Sequence, residues 1–346
     1  MTPGGRSDAV LDDSGEGDEE FIRGVVAAAD PNVLRIVLLQ LGGAADLAAM
    51  EVEKVPIRAG AFFGDVLAER YHADVRDRAV AVLLRGSMAL PTTPNERQTR
   101  VLMELLTGDA LNDSEFQFGW EELAFQQFPR DPRWTTLPPV EALAGFHVVV
   151  VGAGISGLAA AIMLKRSGIP YTVFERQSDI GGTWHLNTYP EARVDVSSYV
   201  YQFKFTRNYP WPEYFASQGE TIKYLRHVVD QYGIRDRIEL DTEVTAARWD
   251  EAQSSRQLEV VNANSRRPIS ANVVVSASGL FSTANMPKCN GIEGYEGRLC
   301  HTTQWDHRYD ISGKRVALIS NGSGGSQLMP YLAQHAGELS VFQRTP

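Results

Sequence analysis

From about residue 20 to residue 125, apolar residues recur at three- and four-residue spacings. VLRIVLLQL (Val33–Leu41), VLAERYHADVRDRAVAVLLRG (Val66–Gly86) and NERQTRVLMELLTG (Asn95–Gly108) each place an apolar stripe along one face of a helix. Gly42, Gly43, Gly86 and Gly108 follow these stripes as helix stops, and Pro91 and Pro94 separate two of them. The pattern predicts an all-α N-terminal domain over 20–126. Nothing chemical clusters there, and His72, alone on a charged helix, reads as a surface residue. The proline-rich stretch QFPRDPRWTTLPP (Gln127–Pro139) predicts a linker over 127–144.

Beyond the linker the period changes to strand, glycine turn, helix, strand. VVVV (Val148–Val151) is a continuous apolar run, as a buried parallel strand requires. The block then repeats: HVVVVGAGISGLAAAIMLKRSGIPYTVFERQ (His147–Gln177) returns as RVALISNGSGGSQLMPYLAQHAGELSVFQRT (Arg315–Thr345). Gly157 to Glu175 and Gly325 to Gln343 span the same 18 positions, and VFER answers VFQR. The fold class read from this is α/β, with two Rossmann-like dinucleotide-binding units, the second incomplete, behind the helical domain. The boundaries are 145–290 for the first unit, 291–312 for an inter-domain linker and 313–346 for the start of the second.

Composition narrows the function classes. The 346 residues are 43% hydrophobic and 22% charged, as in a globular protein. Much of the formal net charge of −10 lies in Asp8, Asp12, Asp13 and GEGDEE (Gly15–Glu20), which predicts a solvated, disordered tail over 1–19. An acidic balance without a Lys/Arg run argues against nucleic acid as a partner. Cys289 and Cys300 stand in no metal-ligand or CxxC spacing, so no metal site, zinc site or disulfide framework is expected, and a reducing cytoplasm fits. Cys300, His301, Asp306 and His307 are too close in sequence to converge on one ion without distant partners. Val33–Leu41 is too short for a membrane span and contains Arg35. The acidic N-terminus is unlike a signal peptide.

Gly152, Gly154 and Gly157 follow the first strand in GxGxxG spacing, with Ser156 in the first turn of the helix they open. Glycine serves there for the tight turn, for backbone approach to a pyrophosphate and for close helix packing. Free N–H groups at the helix start face the phosphates. Glu175, ending the second strand, is placed to accept from a ribose diol. A lone GxGxxG is weak; with strand, helix and acid at the right distances it is strong. In GGTWHLNTYPEARVD (Gly181–Asp195), Gly182, Thr183 and Trp184 suggest backbone packed against an extended cofactor, although by composition the segment could be an aromatic loop. Val244 on the strand TEVTAARWD reads as backbone for an adenine, and Gly279 as the return past the phosphates of an FAD.

In the second copy the run is Ser320, Asn321, Gly322, Ser323, Gly324, Gly325, so the tight-turn glycine has become Ser320. Gly322, Gly325, Ser326 and Gln327 keep the helix-opening pattern. Where the first copy carries Glu175, the second has Gln343 followed by Arg344 and Thr345. An acid there would repel a ribose 2′-phosphate, whereas Arg and a hydroxyl attract one. The second site therefore reads as NADPH rather than NADH.

Between the two glycine loops stands Tyr295-x-Gly297-x-x-x-His301-x-x-x-Trp305-Asp306. It resembles the signature of class B Baeyer–Villiger flavin monooxygenases, and GGTWHLNTYPEARVD is similar to a second segment of that family. The helical extension and the NTYP wording look most like the 4-hydroxyacetophenone monooxygenase branch. The resemblance implies that NADPH reduces FAD and that one oxygen of dioxygen enters a ketone, expected to be an aryl ketone, to give an ester. By matched position it implies that Asp195 sits beside the flavin and holds a catalytic Arg, that Arg193 faces the nicotinamide nucleotide, and that Trp184 and Tyr201 line the FAD site. It assigns Arg344 and Thr345 to the 2′-phosphate, and His301 and Trp305 to the joint between cofactor domains. The helical domain is expected to make subunit contacts in a homodimer. Two departures from the pattern are Glu191, where the family has Gly, and Ser320; the Glu191 carboxylate either disturbs nucleotide binding or points to solvent. The chain ends one strand after the second loop, where a family member continues to its catalytic Arg, so a truncated chain without turnover is expected. The rival readings are an N- or S-oxygenating flavin monooxygenase and a non-catalytic FAD-binding or interaction fragment.

Overall fold

The computed structural model describes residues 16–57, 60, 62–86, 91–128, 130–131, 134–281 and 283–343. The chain divides into two compact units, Met1–Pro129 and Arg130–Pro346.

The first unit contains α1 (Glu16–Ala28), α2 (Pro31–Gln40), β1 (Val52–Ile57), β2 (Phe62–Leu67), α3 (His72–Leu84), α4 (Glu96–Thr107) and α5 (Asp113–Leu123). Its helix starts are written locally. Asp30 accepts from the N–H groups of Asn32 and Val33, with Pro31 in the first turn. Asn95 with Gln98 and Asn112 with Glu115 form capping boxes on α4 and α5. Val26, Leu38, Leu47, Leu67, Val75 and Val80 form the core. Arg35, the charge that interrupts the apolar run of α2, is fully buried. Its guanidinium donates to the carbonyls of Met50 (2.8 Å), Leu47 (3.5 Å) and Leu105.

This unit is not all-α. β1 and β2 pair antiparallel from Val52↔Leu67 to Ile57↔Phe62. β-Branched and aromatic residues make up half of each strand, and Pro56 disfavours a helix interior. The helix expected from Val66 accordingly starts at His72, because Leu67 and Ala68 finish the strand buried in the core. His72 is half-buried, with Nε2 2.8 Å from the Leu67 carbonyl. The expected tail also shortens: α1 begins at Glu16, and residues 1–15 lie outside the described residues.

In the second unit come a one-turn helix α6 (Val140–Leu143), β3 (Val148–Val151), α7 (Ile155–Arg166), β4 (Tyr171–Phe174), the one-turn α8 (Thr183–Leu186), α9 (Gln218–Tyr232) and β5 (Ile238–Glu239). They are followed by β6 (Glu243–Asp250), β7 (Ser255–Val261), β8 (Arg266–Ala271), β9 (Val273–Ser276), β10 (Arg315–Ile319), α10 (Ser323–His335) and β11 (Glu338–Phe342). A parallel sheet runs β5-β4-β3-β9, an antiparallel one β6-β7-β8, and β10 pairs parallel with β11. Val149 and Phe174 of the parallel sheet pack against Leu258, Val260 and Ala271 of the antiparallel one. Two strands and one helix cannot cover both faces of β10–β11, and Ile319 and Phe342 stay exposed. The segment expected as a linker is fastened to the end of α7: Arg166 pairs with Asp131 at 2.5 Å and Trp134 Nε1 donates to Ser167 O at 3.0 Å. Among the described residues no helix is long and apolar enough to cross a membrane.

Candidate functional site

The first glycine loop is built by close approach. Gly152 has φ +103°, and a Cβ there would come 2.5 Å from the Ala277 carbonyl oxygen. A Cβ on Gly157 would stand 1.9 Å from Gly152 O, so α7 leaves β3 with no room for a side chain. Gly182 packs onto Gly154, where its Cβ would lie 3.0 Å from the Gly154 Cα. The first backbone bond of α7 is Leu158 N to Gly154 O at 2.9 Å. The N–H groups of Gly154, Ile155, Ser156 and Gly157 therefore have no acceptor among the described residues, as an anion-binding helix start requires.

Glu175 is brought to this loop. It is buried, its Oε2 accepts from Ala153 N at 2.7 Å and its Oε1 from Gln177 N at 2.9 Å. It thus holds the loop's shape, with lone pairs to spare for a diol. Thr242 N donates to Glu175 O at 2.8 Å, which sets the start of β6 beside it. Val244, two residues on, packs with the core beside a bulge. Trp184 is buried; its Nε1 donates to Tyr201 OH at 3.1 Å and the rings meet edge-on at 5.6 Å. Thr183 opens α8, and its carbonyl accepts from Asn187. Gly279 (φ +76°) follows Ala277 and Ser278, which touch Gly152.

The second loop repeats the design with different chemistry. Ser320 takes φ +130°, the counterpart of Gly152, although it carries a side chain. Such a conformation costs a non-glycine residue about 1–3 kcal/mol. A Cβ on Gly325 would lie 2.5 Å from Ser320 O. Ser326 N donates to Gly322 O at 2.8 Å, and Ser326 Oγ to Asn321 O at 2.9 Å. Asn321 Nδ2 donates to Gln343 Oε1 at 2.9 Å. Arg344 and Thr345 lie outside the described residues.

Tyr189, from the segment that follows Gly182, reaches the helix of the second loop. Its hydroxyl donates to Gln327 Oε1 on α10 at 2.9 Å, and burial pushes its pKa up. Gln327 Nε2 in turn donates to Arg193 O at 2.9 Å. The Arg193 guanidinium reaches Glu191 at 2.8 Å, and both line a cavity of about 430 Å³ with Gln327, Pro330, Tyr331 and Gln334. Glu191 has φ +66°, a left-handed conformation that costs roughly 1–2 kcal/mol without glycine. Asp195 is exposed, and its carboxylate has no hydrogen-bond or ion-pair partner among the described residues.

The segment around His301 braces α10. Trp305 packs on the core of Ile311, Leu318, Leu328 and Leu332 and meets Tyr331 edge-on at 6.3 Å. His301 caps a single 3₁₀ turn, its Nδ1 accepting from Thr303 N at 3.2 Å. The exposed Tyr295 ring lies over Gly297, its hydroxyl 2.3 Å from where a Cβ would stand. His307 Nε2 lies 3.0 Å from Thr188 Oγ1, while the Thr302 hydroxyl flanks Gly324. Arg308, hydrogen-bonded to Asp306, holds that carboxyl below its usual range. Sequence reasoning missed Tyr189, Thr188 and Thr302; the one available signal was the NTYP wording.

The chain is similar to a Baeyer–Villiger monooxygenase of Streptomyces coelicolor, 40% identical over 201 residues, which are 58% of this chain and 38% of the relative. It is also similar to an uncharacterized monooxygenase of Sinorhizobium fredii, 32% identical over 283 residues, covering 81% of this chain and 42% of the relative. That longer match necessarily reaches into the first unit. A crystal structure of OTEMO in complex with FAD and NADP matches with TM-score 0.55 and 34% identity, over 58% of this chain and 39% of that one. The chain thus spans about two fifths of the length of these relatives. Residues 145–345 match the family described as flavin-binding monooxygenase-like, and the chain belongs to that family.

Proposed function

We propose that this chain carries the FAD site and the first part of the NADPH site of a Baeyer–Villiger-type monooxygenase of the 4-hydroxyacetophenone branch, acting on an aryl ketone. The observation that carries the reading is the first loop: four N–H groups at the start of α7 without an acceptor among the described residues, a buried carboxylate 2.7 Å from Ala153 N, and a second glycine segment packed on the loop. FAD, when bound, supplies the redox chemistry that lets NADPH and dioxygen oxidise a ketone to an ester. In this reading the N–H groups of Ile155 and Ser156 bind phosphate, Glu175 accepts from the ribose, and Trp184 with Tyr201 flanks the cofactor. Gln327 positions Arg193 for the nicotinamide nucleotide, while Trp305 and His301 hold α10 to the joint. The helical unit supplies subunit contacts, and the two free cysteines fit a cytoplasmic setting.

A second reading is an FAD-binding fragment that retains flavin without turnover. Purified chain is therefore expected to be yellow and to retain FAD after desalting. Loss of all flavin sinks the proposal. NADPH oxidation coupled to ester formation from an aryl ketone favours the full enzyme, N- or S-oxide products favour an oxygenase of the other branch, and retained flavin without oxidation favours the second reading.

A further inference from the structure

The two glycine loops share a backbone path but differ in what is left free. In the first, Gly154 N–H has no acceptor among the described residues. In the second, the equivalent Gly322 N–H donates to the Ser320 side chain, at 3.1 Å. The hydroxyl oxygen of Ser320 thus stands where a ligand oxygen would be received. Ser320 holds this position from φ +130°, a conformation that disfavours any side chain. The second departure behaves alike. Glu191, at φ +66°, places Oε2 2.8 Å from the Arg193 guanidinium beside the cavity next to α10. Ser320 thus satisfies internally a donor of the second loop, and Glu191 one at the cavity beside α10.

We propose that the second nucleotide site is self-capped, with Ser320 and Glu191 acting as its affinity-determining residues. The Ser320 oxygen occupies the Gly322 N–H, and the Glu191 carboxylate engages one edge of the Arg193 guanidinium and offsets its charge, so an incoming dinucleotide gains each of these donors in full only by displacing its internal partner. The proposal rests on the nicotinamide-nucleotide reading of this site. It makes the second site intrinsically weaker than the first, where the matching donors stand open. A displaced internal partner cancels most of what a ligand hydrogen bond returns.

The test is titration of the FAD-loaded chain with NADP⁺, read by calorimetry and by quenching of tryptophan fluorescence. Ser320→Ala removes the capping hydroxyl and keeps a Cβ, whereas Ser320→Gly also relieves the backbone. Both are expected to tighten NADP⁺ binding, roughly 3- to 10-fold, the worth of one freed hydrogen bond. Glu191→Gln is expected to tighten it similarly, and to lose that gain when combined with Arg193→Gln. Should one variant fail to retain FAD, the other two decide. Variants that bind no tighter than the parent chain overturn self-capping while leaving NADP⁺ binding by the parent intact. If FAD is retained and no chain binds NADP⁺, both self-capping and the nicotinamide reading fall.

Discussion

The Tyr189 hydroxyl and the Gln327 side chain, 138 positions apart, share a 2.9 Å hydrogen bond, and Gln327 closes a second bond onto Arg193 O. Through this amide the turn after Gly182 and the second glycine helix become one piece. Gln327→Leu is expected to cost roughly 1–3 kcal/mol, since it strands a buried hydroxyl as well as a carbonyl. Tyr189→Phe should cost about 1 kcal/mol, and the double variant less than the two together. Urea midpoints of the four chains check this; strict additivity would refute the coupling.

Gly157→Ala places a methyl group 1.9 Å from a backbone oxygen that cannot yield. The expected outcome is loss of retained flavin absorbance and a destabilisation of about 3 kcal/mol or more. Gly325→Ala meets its backbone oxygen at 2.5 Å, in a sheet of only two strands, and should cost less. Thermal midpoints of the two variants, with flavin absorbance after desalting, rank them.

Trp305→Ala removes a ring packed on Tyr331 and on the core beneath α10. Because the ring is only partly buried, a loss of roughly 2–4 kcal/mol is expected. His301→Ala removes one cap on one short turn, and about 1 kcal/mol is expected. Equilibrium unfolding that ranked His301 above Trp305 would contradict the bracing role assigned to the Trp.

Asp179 supplies a pH dependence. Burial acts to raise its pKa, but the Arg226 hydrogen bond, the Ile180 N–H and the charges of Arg226 and Arg235 outweigh it, so the carboxyl lies below its ordinary value of 3.8. A depressed folded-state pKa adds stability that is complete above the unfolded value and is lost as pH falls through the folded one. Wild-type stability should therefore decline as pH drops below about 4, and Asp179→Asn should flatten that decline. Urea midpoints across this acid range make the comparison.

The parts of the fold that were legible from sequence are those whose constraints are local. Glycine spacing at 152, 154 and 157 reports a turn and a helix contact that no other residue permits, so the loop could be read before its partners were known. The hairpin of Val52–Ile57 and Phe62–Leu67 was not legible, because short apolar runs fit a strand or a buried helix equally well. Tyr189 escaped notice for another reason: a polar pair so far apart in sequence leaves no periodic trace. Ser320 and Glu191 were visible as departures, but what each oxygen touches is a matter of geometry.

Arg35 brings a different property to the first unit. Its partners there are peptide carbonyls of Met50, Leu47 and Leu105, none of which gains or loses a proton. Acid that neutralises Asp179 in the second unit leaves this fastening unchanged, and dissolved salt screens a buried guanidinium far less than it screens surface ion pairs. The first unit thus carries a cationic clasp whose acceptors do not titrate, so that acid leaves it closed and loss of the packing around it releases it.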